Sequence, residues 1–359
     1  MSLLQYLQIS TALSVGSAVS LLLSALLVLT HRWHIMLTAD ETNGVQKVHR
    51  GMIPRVGGLA IILGFAAATP LMGPVNSPLL WLLLVAVLPA WLFGILEDIT
   101  HNISTRLRLI ATMFSALMAW WLTGYGLYRV DVIGLDSLLG FTPIAVLLTM
   151  VAVAGVAHSI NLIDGFNGLA SGTVLICFGA LAWIAFDLQD GPLFDLTLVA
   201  MAVTVGFFVM NYPFGKIFLG DSGAYTLGFF LAWISVMLVN RHDADVSPWA
   251  PFLICAYPIL ETLFSMWRRV QHNRRMDHPD RVHLHSLVFR RIMPRFFPNA
   301  SLSARNALAT PFLWLFALAP AIAGVYWRDN TLACIAALVV TALLYIALHR
   351  RLTRFKWFA

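Results

Sequence analysis

The sequence predicts an all-α fold, a polytopic membrane helix bundle of about eleven transmembrane helices with its polar loops gathered on the cytoplasmic side. Three observations carry this. Of 359 residues, 59% are hydrophobic and 11% charged, and the mean hydropathy is +0.80; a soluble globular domain carries about 25% charged residues. Apolar runs of the length a helical crossing needs, about 20 residues, recur along the whole chain. Between them, cationic residues collect in alternate loops. So little polar chain is left over that one integral membrane domain is expected over 1–359, its largest loop at 268–310.

The first run, near 5–30, has no cation before it, whereas Arg32, Lys47, Arg50 and Arg55 follow. It reads as a crossing that starts outside, not as a signal peptide with a basic leader. The run at 57–73 opens on Gly57-Gly58; that at 78–96 starts at Pro78 and runs out at Glu97-Asp98; that at 107–124 follows Arg106 and Arg108 and stops at Gly124. A short run at 143–157, opened by Pro143, leads into a polar stretch from His158 to Gly168. The runs at 168–186 and 193–210 are parted by Gly191-Pro192. The run at 222–239 follows Asp221, that at 248–267 includes Pro258 and Glu261, and those at 311–327 and 331–348 are parted by Arg328, Asp329 and Asn330.

An outer N-terminus and this number of crossings put the C-terminus in the cytoplasm. All Lys and Arg residues except Arg129, Arg241 and Arg328 then lie inside, while Asp131, Asp136, Asp187, Asp190, Asp195, Asp243, Asp245 and Asp329 lie outside. This asymmetry is what orients membrane helices. It also accounts for the net charge of +6 and the pI near 9.5, which in a soluble chain would suggest nucleic acid, so no nucleic-acid partner is expected. Cys177, Cys255 and Cys334 stand singly in apolar runs, which argues against a disulfide framework or a structural zinc site. The sequons at Asn102 and Asn299 fall on the inner side and read as chance matches.

The inner loops hold nearly all the unexpected polar chemistry: 47–58, 96–100, 158–172, 211–223 and 278–286. Glu97 and Asp98 end a crossing, where the helix dipole is negative and a cation should approach; a polar cap or pairing with Arg106 or Arg108 explains them equally well. Asp164 lies among Asn161, Gly165, Asn167 and Gly168, a break that lets backbone approach a ligand, and Asn161, Asp164 and Asn167 recur every third residue. Asp221 reads either as a helix N-cap or as a ligand. Its Gly-Asp-Ser-Gly setting also occurs at the nucleophile of chymotrypsin-like proteases, but those are soluble β-barrels, and here Ala224 opens an apolar helix. Carboxylates at 98, 164 and 221, delivered to one membrane face, form an oxygen site suited to Mg²⁺, which takes one or two carboxylates beside substrate phosphates. Lys47, His49 and Arg55 form a juxtamembrane cation cluster suited to lipid headgroups or to a lipid phosphate. His278, His283 and His285 stand among arginines that include Arg281; no cysteine or carboxylate completes a zinc set there, and a cationic rim for phosphates is the better reading. Glu261, inside an apolar run, is read as a structural hydrogen bond at a proline-distorted helix.

Taken together, Lys47–Gly58 (KVHRGMIPRVGG), Asn161–Gly168 (NLIDGFNG), Asn211–Gly223 (NYP through FLGDSG) and Pro279–His285 (PDRVHLH) resemble, in order and in side, the polyprenyl-phosphate N-acetylhexosamine-1-phosphate transferases, which include the phospho-MurNAc-pentapeptide translocase. The resemblance covers most of the chain. It implies transfer of a sugar-1-phosphate from a UDP-N-acetylhexosamine to undecaprenyl phosphate in the bacterial inner membrane, with release of UMP and with Mg²⁺ as cofactor. By motif position, Asp221 ligates the metal, Asp98 belongs to an acidic pair and Asp164 to the NLxDG loop. Asn211 and Phe218 hold and stack on the uracil, Lys47 and His49 adjoin the lipid phosphate, and His283 and His285 belong to the loop associated with the sugar diphosphate.

Glu97, Asn167 and Ser286 depart from the family's usual Asp, Asp and His, which resembles initiating enzymes of O-antigen or capsule synthesis more than the peptidoglycan translocase. A phosphate monoester is already anionic near neutrality, with a second pKa of about 6, so it needs positioning more than a strong base. Direct in-line attack on the sugar-linked phosphorus is therefore expected; the alternative is a covalent step on Asp98 or Asp164. A secondary transporter would show repeated halves and a midplane site, and neither is seen. The large apolar surface permits a homodimer.

Overall fold

The computed structural model describes residues 3–33, 53–271 and 282–354, and every regular element among them is helical. In chain order these are α1 (Leu3–Leu29), α2 (Gly57–Ala68, tightening into a 3-10 turn over Thr69–Leu71), α3 (Gly73–Thr100), α4 (Thr105–Thr123), α5 (Leu135–Leu139), α6 (Thr142–Ile163), α7 (Leu169–Asp187), α8 (Gly191–Asn211) and α9 (Gly220–Arg241). There follow α10 (Trp249–Ile254), α11 (Ala256–Gln271), α12 (Leu284–Leu287), α13 (Met293–Phe296), α14 (Leu302–Tyr326) and α15 (Thr331–Arg354). Of these, α1, α3, α6, α7, α8, α9, α14 and α15 are long and apolar enough to cross a membrane. The chain is a multi-span membrane protein built as an all-α bundle.

Each predicted apolar run coincides with a helix or a pair of helices, but those at 57–73, 107–124 and 248–267 are not among the eight candidate spans, so the expected eleven crossings are not all matched; the boundaries move where polar side chains find partners. α6 continues to Ile163, past the expected end at 157, because Ser159 bonds back to the Gly155 carbonyl and His158 meets Thr112 of α4 at 3.2 Å. α14 begins at Leu302 instead of near 311: Ser301 caps it, while Asn306 and Thr310 bond the backbone of Asn167. Part of the expected 268–310 loop is therefore helix. The run at 248–267 is divided at Cys255, because Pro258 has no N–H and excludes the usual bond to the Ile254 carbonyl. That freed carbonyl accepts the Cys177 thiol at 3.3 Å.

The core is organised around α9. Its residues from Gly220 to Val239 are buried except Ser235, and α6, α3, α2, α7 and α8 surround it. Such a helix, apolar on all sides, has to be enclosed by others. Phe65 of α2 stacks on Phe230 at 4.2 Å, and Phe229 on Trp233 at 6.0 Å. The far end of α9 is fixed by Asp190, which accepts from Arg241 at 2.6 and 2.7 Å and lies 2.9 Å from His242. Burial works to raise the Asp190 carboxyl, but these hydrogen bonds hold it below the ordinary value. Arg129 and Arg328 likewise find acids at that end, Asp131 and Asp187, so the three arginines expected on the outer side share one end of the bundle with the outer aspartates.

Candidate active site

The other end of α9 gathers the chemistry. An α-helix begins with backbone N–H groups that lack intrahelical acceptors, and they carry the positive end of its dipole. Asp221 does not cap α9; it lies inside the first turn, and the cap comes from Asp98 at the C-terminal end of α3. Asp98 Oδ1 accepts from the Asp221 N–H at 2.8 Å, while its Oδ2 accepts from the Ser222 N–H at 3.0 Å and the Ser222 hydroxyl at 2.7 Å. The positive group that the end of α3 requires is thus a helix N-terminus, with Arg55 nearby. Gly220 makes this possible. Its φ is +71°, and a Cβ there would meet the Arg55 carbonyl and lie 2.7 and 2.8 Å from the Asp98 oxygens. Gly58, at the start of α2, lies against Ser222 and Gly223 so closely that a Cβ would strike their backbone.

With its backbone held this way, the Asp221 side chain meets two guanidinium groups. Arg55 lies 3.3 Å from Oδ1, Arg108 donates to Oδ2, and the Tyr225 hydroxyl donates to Oδ2 at 3.1 Å. Tyr225 lies beside Asn161, and its ring packs on His158 at 4.7 Å. Arg108 is shared with Glu97, 3.9 Å away, whose other oxygen accepts from the Ile103 N–H at 2.7 Å. Glu97 therefore both ends α3 and tethers the arginine. Asp164 Oδ2 accepts from the Gly220 N–H at 3.2 Å, and its side chain is half-buried. Burial pushes the Asp164 carboxyl up to about 7, against the pull of Arg55 and the Gly220 N–H.

The three aspartates thus converge on one turn, Gly220–Ser222. Asp98 has both oxygens engaged by that turn, Asp221 has both engaged by Arg55, Arg108 and Tyr225, and Asp164 reaches the turn through one oxygen. No group of three or more His, Cys, Asp or Glu side chains placed to hold a metal ion occurs among the described residues, but Mg²⁺ takes as few as one or two protein carboxylates beside substrate phosphates. Asp221 and Asp164 are the residues that could hold the ion.

The amides do different work. Asn211 is buried, its Oδ1 accepting from Gly168 N–H and the Ser171 hydroxyl, both at 2.9 Å, and its Nδ2 donating to the Ile217 carbonyl at 2.8 Å. It staples the loop after α6 to the loop after α8. Asn167, also buried, donates to the Pro213 carbonyl at 2.9 Å, while its Oδ1 has no hydrogen-bond partner among the described residues. Phe218 is partly buried, and its backbone bonds Pro54 and Gly57, which ties the segment before α2 to the start of α9.

His283 and His285 close the site from the side of α11. Their rings are parallel, 5.2 Å apart, and His285 meets Phe166 edge-on at 5.1 Å, close to Gly165. Glu261 is hydrogen-bonded, as a buried carboxylate must be, but to the histidine loop: Oε1 lies 3.0 Å from both His283 Nδ1 and Leu284 N.

Lys47, His49 and Arg281 lie outside the described residues. The described parts of four of the five polar segments meet around the first turn of α9, and the fifth reaches Gly165 and Phe166, beside Asp164, through His285. Ser222 lies within the Gly-Asp-Ser-Gly motif without a role assigned to it there, and Tyr225 and His158 carry no motif that marks them, although Tyr225 follows Asp221 by four residues, the spacing at which helical side chains meet.

Residues 80–239 match the model of glycosyl transferase family 4. A Bacillus subtilis (strain 168) protein named "probable undecaprenyl-phosphate N-acetylglucosaminyl 1-phosphate transferase" is 30% identical over 271 residues, which is 74% of each chain. Proteins of Yersinia pestis and Escherichia coli (strain K12), each named undecaprenyl-phosphate alpha-N-acetylglucosaminyl 1-phosphate transferase, are 26% identical over 261 residues, 70% of this chain and 69% of theirs. A helical membrane bundle with a cluster of paired acids and arginines at one end, matched along about three quarters of its length by such proteins, is a membrane-embedded transferase. The chain belongs to the polyprenyl-phosphate N-acetylhexosamine-1-phosphate transferases of glycosyl transferase family 4.

Proposed function

We propose that this protein transfers N-acetylhexosamine-1-phosphate from a UDP-N-acetylhexosamine to undecaprenyl phosphate at the cytoplasmic face of the bacterial inner membrane, starting a lipid-linked glycan such as O-antigen or capsule. The observation that carries the reading is the convergence of Asp98, Asp164, Asp221, Arg55 and Arg108 on the first turn of α9. Acidic groups for a divalent ion, with guanidinium groups beside them, are parts that phosphoryl transfer between two anions needs.

In the reaction, a phosphate oxygen of the lipid attacks the phosphorus attached to the sugar, and the bond from that phosphorus to the bridging oxygen breaks. UMP departs with the bonding electrons, leaving a diphosphate between lipid and sugar. Magnesium held by Asp221 and Asp164 would neutralise charge on the donor diphosphate. Arg55 and Arg108 fix the Asp221 carboxylate before substrate arrives, so little reorganisation accompanies reaction. Asp98 keeps the turn itself in place. Its oxygens are both engaged by backbone and hydroxyl donors, which favours direct attack over an aspartyl-phosphate on that residue. His283 and His285 line the donor side, and the cationic segments that include Lys47, His49 and Arg281 suit the phosphates of the two substrates.

The test is lipid-dependent UMP release by purified protein supplied with undecaprenyl phosphate, Mg²⁺ and a panel of UDP-sugars, including UDP-GlcNAc and UDP-MurNAc-pentapeptide. UDP-GlcNAc is expected to support turnover, and Asp221→Asn to lower it at least about 100-fold, as loss of a charge-stabilising group does. Full magnesium-dependent turnover by Asp221→Asn overturns the metal assignment, and release with UDP-MurNAc-pentapeptide alone moves the protein to the translocase activity.

A further inference from the structure

We infer that Glu261 is a positioning residue for this reaction: its Oε1 sets the ring orientation and the Nδ1–H tautomer of His283, and so decides which imidazole edge faces the donor diphosphate. The inference rests on the reading of the histidine loop as diphosphate-binding.

The geometry is specific. Glu261 Oε1 accepts from the Leu284 N–H at 3.0 Å and lies 3.0 Å from His283 Nδ1. A carboxylate only accepts hydrogen bonds, so the proton of that contact belongs to Nδ1, and Nε2 is the edge left for a ligand. The residue before His283 is gripped as well. The Val282 carbonyl lies 2.7 Å from His349 Nε2 of α15 and accepts from Arg268 of α11 at 2.9 Å, while the His349 ring is held edge-on by Phe264 at 4.7 Å. Two helices, α11 and α15, thus fix three consecutive residues, Val282–Leu284, and His283 passes its orientation to His285 through the parallel stack. His285 in turn touches Phe166, two residues from Asp164.

A purely structural anchor would be served by the bond to the Leu284 N–H, for which a neutral amide suffices. A carboxylate that is 1% exposed carries a large desolvation cost, and directing it at the inner nitrogen of a ligand-facing imidazole is how outer-sphere carboxylates orient histidine in other sites.

The test compares Glu261→Gln, His283→Gln and the double variant, purified in detergent. KM is measured separately for UDP-GlcNAc and for undecaprenyl phosphate by UMP release, and folding is checked by the thermal unfolding midpoint. Glu261→Gln is expected to raise the donor KM about 10-fold, as loss of such an orienting partner does, and to leave the lipid KM unchanged. The double variant is expected to be no worse than His283→Gln alone, because the two residues act as one unit. An unchanged donor KM, a parallel rise in both KM values, or the same penalty added on top of His283→Gln would each overturn the inference. Should Glu261→Gln fail to fold, Glu261→Asp, which keeps the charge but withdraws it by about one bond length, 1.5 Å, carries the same cycle. A His283→Gln variant with an unaltered donor KM sinks the site reading itself, whereas a failure confined to Glu261 sinks only the positioning role.

Discussion

His285 is buried, and its Nδ1 lacks a hydrogen-bond partner among the described residues. Burial, opposed by Glu261 and reinforced by His283 and Arg290, holds its pKa down to about 3. In the unfolded chain the same ring titrates at about 6.5. Between these values the unfolded state binds the proton and the folded state does not. Its contribution is therefore whole above pH 6.5 and is lost as the pH falls toward 3. The thermal midpoint in detergent is expected to drop as the pH is lowered from 7 to 5, with a loss of about 1.4 kcal/mol per pH unit once below 6.5. His285→Phe, which keeps an aromatic ring against Phe166, is expected to flatten that dependence; an unchanged slope would show that other groups set it. At this scale the sequence was informative about charge and silent about partners. Asp98, Asp164 and Asp221 stand out as carboxylates at one membrane face, but nothing in a linear chain says that Asp98 spends its oxygens on the backbone of Asp221, or that Arg108 bridges Glu97 and Asp221. Asn211 shows the same gap, since its residue type suits a nucleotide contact and its surroundings use its amide to join two loops.

Among the elements, the junction of α3 with α9 is where composition and function meet. The three donors at the start of α9 that Asp98 satisfies have no other acceptor in the described hydrogen bonding, so Asp98→Ala removes a cap and leaves buried N–H groups unpaired. The expected cost is about 3 kcal/mol, combining the loss of a cap with the burial of an unsatisfied donor. Asp98→Ala should lower the unfolding midpoint as well as UMP release, whereas a residue acting only in chemistry would lower release alone. Paired measurements on one preparation separate the two. Helix interiors were legible from apolar runs bounded by Gly, Pro and charge. Their ends were not, because α6 and α14 extend through polar residues whose partners, Thr112 and Asn167, come from distant segments. The break at Cys255 was implicit in Pro258, whose missing N–H strands a carbonyl four residues earlier.

The whole molecule was the most legible level, because insertion into a bilayer is governed by summed hydrophobicity and by the side on which cations fall, and both are properties of the chain alone. The orientation expected from that distribution is open to a direct check. The native cysteines Cys177, Cys255 and Cys334 are buried, so single added cysteines report cleanly. In intact cells a membrane-impermeant maleimide should label Asp245→Cys and spare Lys216→Cys, and should reach both after lysis; the opposite pattern would invert the topology. What the chain alone does not reveal is the order of enclosure, in which α9 occupies the middle and every polar segment is drawn to one of its ends.

That central helix is secured at both extremities, by Asp98 at one and by Asp190 at the other. Its 22 residues rise about 33 Å at 1.5 Å each, close to the hydrocarbon depth of a bilayer. Of the spanning helices α15 and α1 are the least enclosed and α9 the most, so lipid acts first on the rim of the bundle. The acidic cluster is carried by the helix that lipid touches least, which would shield it from changes in bilayer thickness.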